Sequence, residues 1–216
     1  MSESSIPVSS QDGPHSRLAG VVRRHLASTW RRPYRAYSRP AFDTVVEQIR
    51  TGRPIILDSG CGTGESTARL ADVNGDCEVI GIDRSAARLR RHPALPPNAH
   101  LLRADLADFW RLARHAGWRL QRHYLLHPNP WPKPAQLQRR WHAHPVWPDL
   151  LALGGELELR TNFEIYASEF ELALQLAGFA ADVKVLSLPI DQALSPFERK
   201  YLQSGHCVFR VCARLN

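Results

Sequence analysis

The chain has 216 residues, of which 44% are hydrophobic, so it is long and apolar enough for one α/β domain with a sizeable core. Its net charge of +7 and isoelectric point near 9.7 favour a polyanionic partner, although a compositional bias toward arginine would give the same charge. No apolar run approaches the ~20 residues of a membrane helix, and the first residues do not have the pattern of a signal peptide.

The first 50 residues are predicted to precede the main domain, which spans residues 51–216. Residues 1–16 are rich in Ser, Pro and Gly, which predicts a disordered tail. Residues 17–50 form a basic and aromatic leading segment that includes Trp30. Its rings and arginines are equally suited to binding nucleic acid, by stacking on bases beside phosphates, and to covering a cofactor cleft.

From residue 54 onward, short apolar runs alternate with helical patterns. Seven strands are predicted, in PIILDSG, CEVIGID, AHLLRAD, RHYLLHP, GGELELRT, ADVKVLSL and HCVFRVCAR. Five helices are predicted, in ESTARLADV, SAARLRRH, LADFWRLARHAG, QLQRRWHAHPVWPDLLAL (interrupted near Pro145 and Pro148) and FEIYASEFELALQLAG. This alternation predicts an α/β fold with a doubly wound, mostly parallel seven-stranded sheet and helices on both faces. The last two strands are expected to pair antiparallel at one edge.

Glycines and acids gather at the predicted carboxyl ends of the first three strands. They are Asp58, Gly60, Gly62 and Gly64 after the first strand, Asp83 after the second and Asp105 after the third. Glycine lets the backbone approach a ligand where a side chain would clash, and ligands of doubly wound sheets bind at this edge. The pattern therefore predicts a ligand site, and the competing explanation is that the acids only cap turns and helices.

The identity of the predicted ligand follows from the charges. The spacing G-x-G-x-G differs from the dinucleotide pattern G-x-G-x-x-G, and the carboxylate of Asp58 would repel a pyrophosphate. S-adenosylmethionine fits, because it has an ammonium group, a sulfonium and a ribose but no phosphate. Asp83 is expected to accept the ribose hydroxyls and Asp105 to meet the adenine amino group.

A stiff loop, LHPNPWPK at residues 126–133, follows the fourth predicted strand. Its three prolines exclude a helix interior or a central strand, because proline lacks an N–H and fixes φ. A rigid loop loses little entropy when a substrate docks, so this loop is predicted to carry substrate-binding groups.

These motifs, together with TNFEIYASEF and SPFER, occur in the order and approximate spacing of the bacterial tRNA (guanine-N7-)-methyltransferases. The sequence resembles that family over about residues 30–205. The resemblance implies a class I, Rossmann-like, S-adenosylmethionine-dependent methyltransferase that methylates guanine N7 in tRNA and acts in the cytoplasm.

The resemblance also implies roles for individual residues. Asn129 stands at the family's catalytic acid position and is expected beside the cofactor, and Trp131 is expected to wall the base pocket. Substrate contacts are further implied for Lys133, Arg139, Arg140, Asn162, Ser195 and Glu198. The paired arginines are expected to reach phosphates. A helix cap is an equal alternative for Ser195 and Glu198, and Thr161 with Glu164 also matches a capping box.

Asn129 and Asn162 both stand where the family has aspartate. This departure leaves two alternatives open. One is a divergent methyltransferase acting on another acceptor, such as an exocyclic amine that donates to the Asn129 carbonyl. The other is a non-catalytic paralogue that binds tRNA or the cofactor.

The remaining features favour a nucleic-acid partner and no metal. Residues 84–140 carry 12 Lys or Arg against 2 Asp, which supports a polyanionic substrate such as tRNA. His142 and His144, two positions apart on a helix, would point their rings apart, so no metal site is predicted. The four cysteines lack a C-x-x-C spacing, which indicates a reduced compartment.

Overall fold

The computed structural model describes residues 7–216 and contains a seven-stranded sheet. Its strands are β1 (Ile55–Ser59), β2 (Glu78–Asp83), β3 (Ala99–Arg103), β4 (Arg122–Leu126), β5 (Gly155–Thr161), β6 (Ala181–Leu186) and β7 (Val208–Leu215). They lie in the order β3-β2-β1-β4-β5-β7-β6. The first five are parallel, and β7 runs antiparallel between β5 and β6. The predicted sheet and its antiparallel edge are confirmed.

Within residues 7–216, eight α-helices surround the sheet. They are α1 (Leu18–Leu26), α2 (Ser38–Gln48), α3 (Glu65–Val73), α4 (Ala86–Leu89), α5 (Leu106–His115), α6 (Trp147–Leu151), α7 (Glu164–Leu176) and α8 (Pro196–Gln203). Two 3₁₀ helices, Pro134–Arg139 and Trp141–Ala143, follow the proline loop, and a third spans Ile190–Gln192. No helix within residues 7–216 is long and apolar enough to cross a membrane.

The core lies on both faces of the sheet, because successive strand residues point to opposite sides. Leu57 and Leu125 belong to a large core that α1, α2, α5, α6 and α7 cover. Ile56 and Val79 belong to a smaller core beneath α3. Helices therefore cover both faces, and the carboxyl ends of the parallel strands stay open as a site.

The region after the proline loop differs from its prediction. The helix predicted from residue 136 onward is replaced by the two short 3₁₀ helices and the five-residue α6. Proline explains the break before α6, because Pro148 stands in its first turn and cannot continue a preceding helix. The two 3₁₀ helices are separated by Arg140, whose backbone is extended. The capping box at Thr161 is also wrong, because α7 begins after Phe163 and the Thr161 hydroxyl accepts from the Phe163 N–H.

The N-terminal segment also differs from its prediction over the part that is described. Residues 1–6 of the predicted disordered tail lie outside the described residues. Residues 7–16 contact the domain: Ser9 donates to the Pro132 carbonyl at 2.7 Å, and Gln11 donates to the Glu169 carboxylate at 3.0 Å. In a disordered tail these polar side chains would be solvated, whereas here they form hydrogen bonds with the proline loop and α7.

Candidate active site

A cavity of about 440 Å³ lies at the carboxyl ends of the parallel strands. The turn after β1, the ends of β2 and β4 and the start of α5 form its wall, and Trp30 and Arg32 of the leading segment contribute to it. Seven of the residues predicted for the site line it: Gly60, Asp83, Asp105, Asn129, Trp131, Arg139 and Asn162. The sheet topology thus brings the glycine turn and the proline loop, some 70 positions apart in the sequence, to one place.

The three glycines of the turn have different tasks, although all have positive φ. Gly60, at φ 87°, lines the cavity. The Gly62 N–H donates to Asp83 Oδ2 at 3.1 Å, which ties the turn to the end of β2. Gly64, at φ 79°, has a backbone conformation that favours glycine, and a Cβ there would lie 2.6 Å from the end of the Leu101 side chain. Only Gly60 is placed for direct contact with a ligand.

Asp58 is fully buried behind the turn and is not among the cavity-lining residues. Its Oδ2 accepts hydrogen bonds from the Ser66 and Thr67 hydroxyls at 2.6 and 2.7 Å. Its Oδ1 has no hydrogen-bond partner within residues 7–216. Burial raises the pKa of Asp58 to about 6, so the charged form is costly there unless a cation approaches.

Asp83 and Asp105 both line the cavity and both have partners within the protein. Asp83 Oδ1 accepts from the Ser85 N–H at 2.7 Å and lies 3.1 Å from the Arg88 guanidinium. Asp105 caps α5 by accepting from the Ala107 N–H at 3.1 Å. The capping explanation for Asp105 is therefore confirmed, and its place in the wall leaves a ligand contact open as well.

The proline loop is held by a buried ionic cluster. The Arg140 guanidinium is fully buried and donates to the carbonyl of Trp131, which stands at φ 45°. It also pairs with Glu169 at 2.5 Å, and His142 Nε2 lies 2.9 Å from the same carboxylate oxygen. Burial alone would raise the pKa of Glu169, but hydrogen bonds and charge from His142 and Arg140 lower it to about 2.

Arg140 and Lys133, two of the expected substrate contacts, lie outside the cavity wall. Arg140 cannot reach an RNA phosphate, because it is buried in that cluster. Arg139 is exposed and lies over the Trp131 ring, with its guanidinium carbon 4.9 Å from the ring centroid. Lys133 is exposed but lies outside the cavity wall. The predicted pair of phosphate-binding arginines is thus reduced to one.

The SPFER segment supports the capping explanation for Ser195. Its hydroxyl accepts from the Glu198 N–H at 3.1 Å at the start of α8. The buried Glu198 carboxylate pairs with Arg160 at 3.1 Å and accepts from the Leu194 N–H at 2.7 Å. Burial alone would raise the pKa of Glu198, but the His127 hydrogen bond and the Arg160 charge lower it. Neither Ser195 nor Glu198 lines the cavity.

Several residues of the wall had no role in the sequence-based prediction. Arg88 forms an ion pair with Asp83. Its position in α4, directly after β2, could have identified it from the sequence as a neighbour of the site. His127, at φ 51°, starts the loop and lies 3.4 Å from Glu198 through Nε2. Tyr201, from α8, also lines the cavity. Among residues 7–216, no group of three His, Cys, Asp or Glu side chains is placed to hold a metal ion.

The family model and the similar proteins found by comparison are all methyltransferases. The model of the methyltransferase family Methyltransf_4 matches residues 52–210. The tRNA (guanine-N(7)-)-methyltransferase of Zymomonas mobilis is 30% identical over 175 residues, which cover 73% of each chain. That of Alkalilimnicola ehrlichii is 29% identical over 227 residues, covering 96% of this chain and 92% of the relative. A solved 16S rRNA methyltransferase, KamB, shares the fold with a TM-score of 0.60 at 15% identity, over 87% of this chain and 98% of that one.

Proposed function

Because the chain belongs to the methyltransferase family Methyltransf_4 and to that of the bacterial tRNA (guanine-N7-)-methyltransferases, we propose that it methylates guanine N7 in tRNA, in the cytoplasm, with S-adenosylmethionine as methyl donor. One observation carries the proposal. A single cavity contains both Gly60 and Asp83, suited to the donor, and the loop bearing Asn129 and Trp131, suited to the base.

The residues around the glycine turn fit S-adenosylmethionine, which supplies an electrophilic methyl group when bound. Asp83 Oδ2 accepts one hydrogen bond, from Gly62, within residues 7–216, and a carboxylate oxygen can accept another from a ribose hydroxyl. The unpartnered Oδ1 of Asp58 suits a nearby cationic group, because a positive charge would offset the cost of burying the carboxylate. Gly60 leaves room for close approach of a ligand to the backbone.

The chemistry at the acceptor requires no general base. Guanine N7 carries no proton, so its lone pair can attack a methyl group directly, and the ring becomes cationic. A carboxylate about 4 Å away would stabilise that charge by roughly 4 kcal/mol at an effective dielectric of 20. Asn129 keeps an acceptor oxygen without the charge. The expected reaction is therefore possible with this loop, with weaker electrostatic stabilisation than an aspartate would give.

A second candidate function is favoured by the same residue. Asn129 is exposed on the cavity wall, where its amide oxygen can accept from an exocyclic amine and its N–H₂ can donate. Such an acceptor would be a base amino group. Its nitrogen would take the methyl group as the S–CH₃ bond of the donor breaks to leave a thioether, and its proton would pass to solvent.

Tritiated methyl transfer into unmodified total tRNA, followed by nucleoside identification, tests the proposal. The proposed function gives 7-methylguanosine. A methylated amino group would instead identify the second candidate. No transfer, with cofactor and tRNA binding intact, would contradict both and identify a non-catalytic paralogue. Asp83→Ala serves as the matched negative variant, since weaker binding of the donor should slow transfer at sub-saturating S-adenosylmethionine.

A further inference from the structure

A second cavity, of about 400 Å³, lies beside the active site between α1 and the 3₁₀ helix Pro134–Arg139. We call it the α1 groove. Arg17 and Arg24 line it from the α1 side, together with Ser16, and Gln138 lines it from the opposite side. None of its lining residues is acidic. Gly20, Val21, Ala135 and Leu137 complete the lining, so the groove is a half-apolar depression with positive charge at two points.

The two arginines of the groove are free to bind an anion. Both are exposed, and neither forms an ion pair with any residue of the described chain, 7–216. They stand seven positions apart, which is about two helical turns, or roughly 10 Å along the axis. Residues at this spacing lie on one face of a helix. Their guanidinium groups therefore face the same groove at two separate points.

The groove borders the active site. Gln138 lines both cavities, and the next residue, Arg139, lies over Trp131 in the wall of the first. A base can enter a cavity of this kind only when it leaves its stack, so the chain on either side of it must cross the neighbouring surface. The α1 groove is the neighbouring surface on the proline-loop side.

We propose that the α1 groove binds the sugar–phosphate backbone of the RNA next to the target nucleotide. Guanidinium groups match phosphate oxygens, and the Ser16 hydroxyl and Gln138 amide can bond phosphate or ribose oxygens. The inference rests on the proposed function, because it takes the substrate to be RNA. It adds the path of the strand and assigns two contacts to α1, in the leading segment.

Salt dependence of RNA binding tests the proposal. Each phosphate contact contributes about 0.7–0.9 to the slope of log K against log salt, so Arg17→Ala with Arg24→Ala should reduce the slope by about 1.4–1.8. At 0.15 M salt the same loss corresponds to about 10- to 30-fold weaker binding of unmodified tRNA. Arg17→Lys with Arg24→Lys keeps both charges and should keep most of the slope.

The matched control is Arg23→Ala with Arg214→Ala, which removes two charges outside the groove. Arg23 is exposed on α1 but does not line the groove. Arg214 lies on β7, opposite Glu156 at the start of β5. This is the end of the sheet away from the active site. This control should keep the wild-type slope. Equal slopes for the groove variant and the control would overturn the proposal.

The test separates this inference from the proposed function. Calorimetry with S-adenosylhomocysteine and nucleoside analysis of methylated tRNA report on the methyl-transfer proposal alone. RNA binding by the groove variant and its control reports on the groove, even if the wild type methylates another position. Thermal unfolding of each variant checks that the fold is unchanged. We expect wild-type midpoints, because all four arginines are exposed.

Discussion

The guanidinium of Arg140 donates from both Nε and Nη2 to the carbonyl oxygen of Trp131, at 3.1 and 3.0 Å. That carbonyl belongs to a bulky residue in the left-handed region, a conformation that persists only when the surrounding structure holds it. Since Trp131 lines the cavity, the buried arginine helps to set the shape of that cavity without lining it.

Removing the partner of Arg140 should cost both stability and activity. Glu169→Ala leaves the guanidinium buried without its carboxylate, and breaking a pair with both side chains fully buried costs about 3–5 kcal/mol. Urea unfolding should show this loss in the midpoint. The initial rate of methyl transfer at a temperature where the variant is folded should also fall.

A double variant separates the two effects. Arg140→Met with Glu169→Met removes both charges and should recover much of the stability lost by Glu169→Ala, because apolar pairs often replace buried ion pairs without cost. It should not recover activity, because Arg140→Met removes both donors to the Trp131 carbonyl. Recovery of both properties would show that the pair has only a structural role.

Asp83 is expected to determine affinity for the cofactor. Asp83→Ala removes charge-assisted hydrogen bonds worth about 1.5–3 kcal/mol, or about 10- to 150-fold in Kd measured by calorimetry with S-adenosylhomocysteine. Asp83→Asn should lose less, because it keeps an acceptor for Gly62. Asp72→Ala, which removes an exposed acid from α3, is the matched control and should bind as the wild type does. Unchanged binding by Asp83→Ala would contradict the assignment of the ribose site.

The sheet and the glycine turn were predictable because their signals are local. Alternating apolar and helical stretches identify the strands, and a doubly wound sheet places their carboxyl ends together, so Gly60, Asp83 and Asn129 meet as expected. Contacts between distant segments carry no such signal. Arg140 looks like a phosphate-binding residue in its own stretch, and only the fold brings Glu169, 29 positions later, against it.

The same limit explains the N-terminal segment. Its composition predicts disorder, because a short polar stretch cannot bury enough apolar surface by itself. Gln11 nevertheless donates to Glu169 and accepts from Arg140, groups that sequence reading gave no reason to place near it. Local composition therefore describes what the segment would do alone, and the buried charges decide what it does in the fold.

Burial of His123 predicts a loss of stability in acid. Burial lowers its pKa from 6.5 to about 3, and its Nε2 lies 2.8 Å from the Ser59 hydroxyl. The imidazole is therefore neutral in the folded protein. This histidine does not reduce the free energy of unfolding above pH 6.5. As the pH falls from 6.5 toward 3, it lowers that free energy by up to about 5 kcal/mol in total. Urea unfolding between pH 7 and pH 4 measures this slope.

The non-titrating variant His123→Gln should reduce that slope by up to one proton, or about 1.4 kcal/mol per pH unit. His144, whose pKa burial lowers to about 4, contributes in the same direction and should retain its share in the variant. If wild type and His123→Gln lose stability in parallel as the pH falls, the imidazole is not held neutral by the fold.

The last prediction concerns Asn129 and Asn162, the two positions at which the resemblance to the family implies aspartate. Asn129→Asp places a carboxylate on the exposed wall of the cavity, where it can stabilise the cationic purine. Even about 1.4 kcal/mol of that stabilisation gives a tenfold faster rate of guanine-N7 transfer. Asn162→Asp should help less, because Asn162 is buried with its amide 3.1 Å from His206 Nδ1, and the imidazole would share the new charge.

Comparing product as well as rate makes this prediction decisive. Faster formation of 7-methylguanosine by Asn129→Asp, and faster still by the double variant, supports the guanine-N7 assignment. Asn129→Ala is the control, since it removes the acceptor oxygen without adding charge and should be slower than the wild type. If the natural acceptor is an exocyclic amine, the Asp oxygen still accepts its N–H but the amide donor is lost, so Asn129→Asp should be slower than the wild type on that acceptor. If Asn129→Asp is slower than the wild type and the product carries a methylated amino group, the site of methylation is that amino group and not guanine N7.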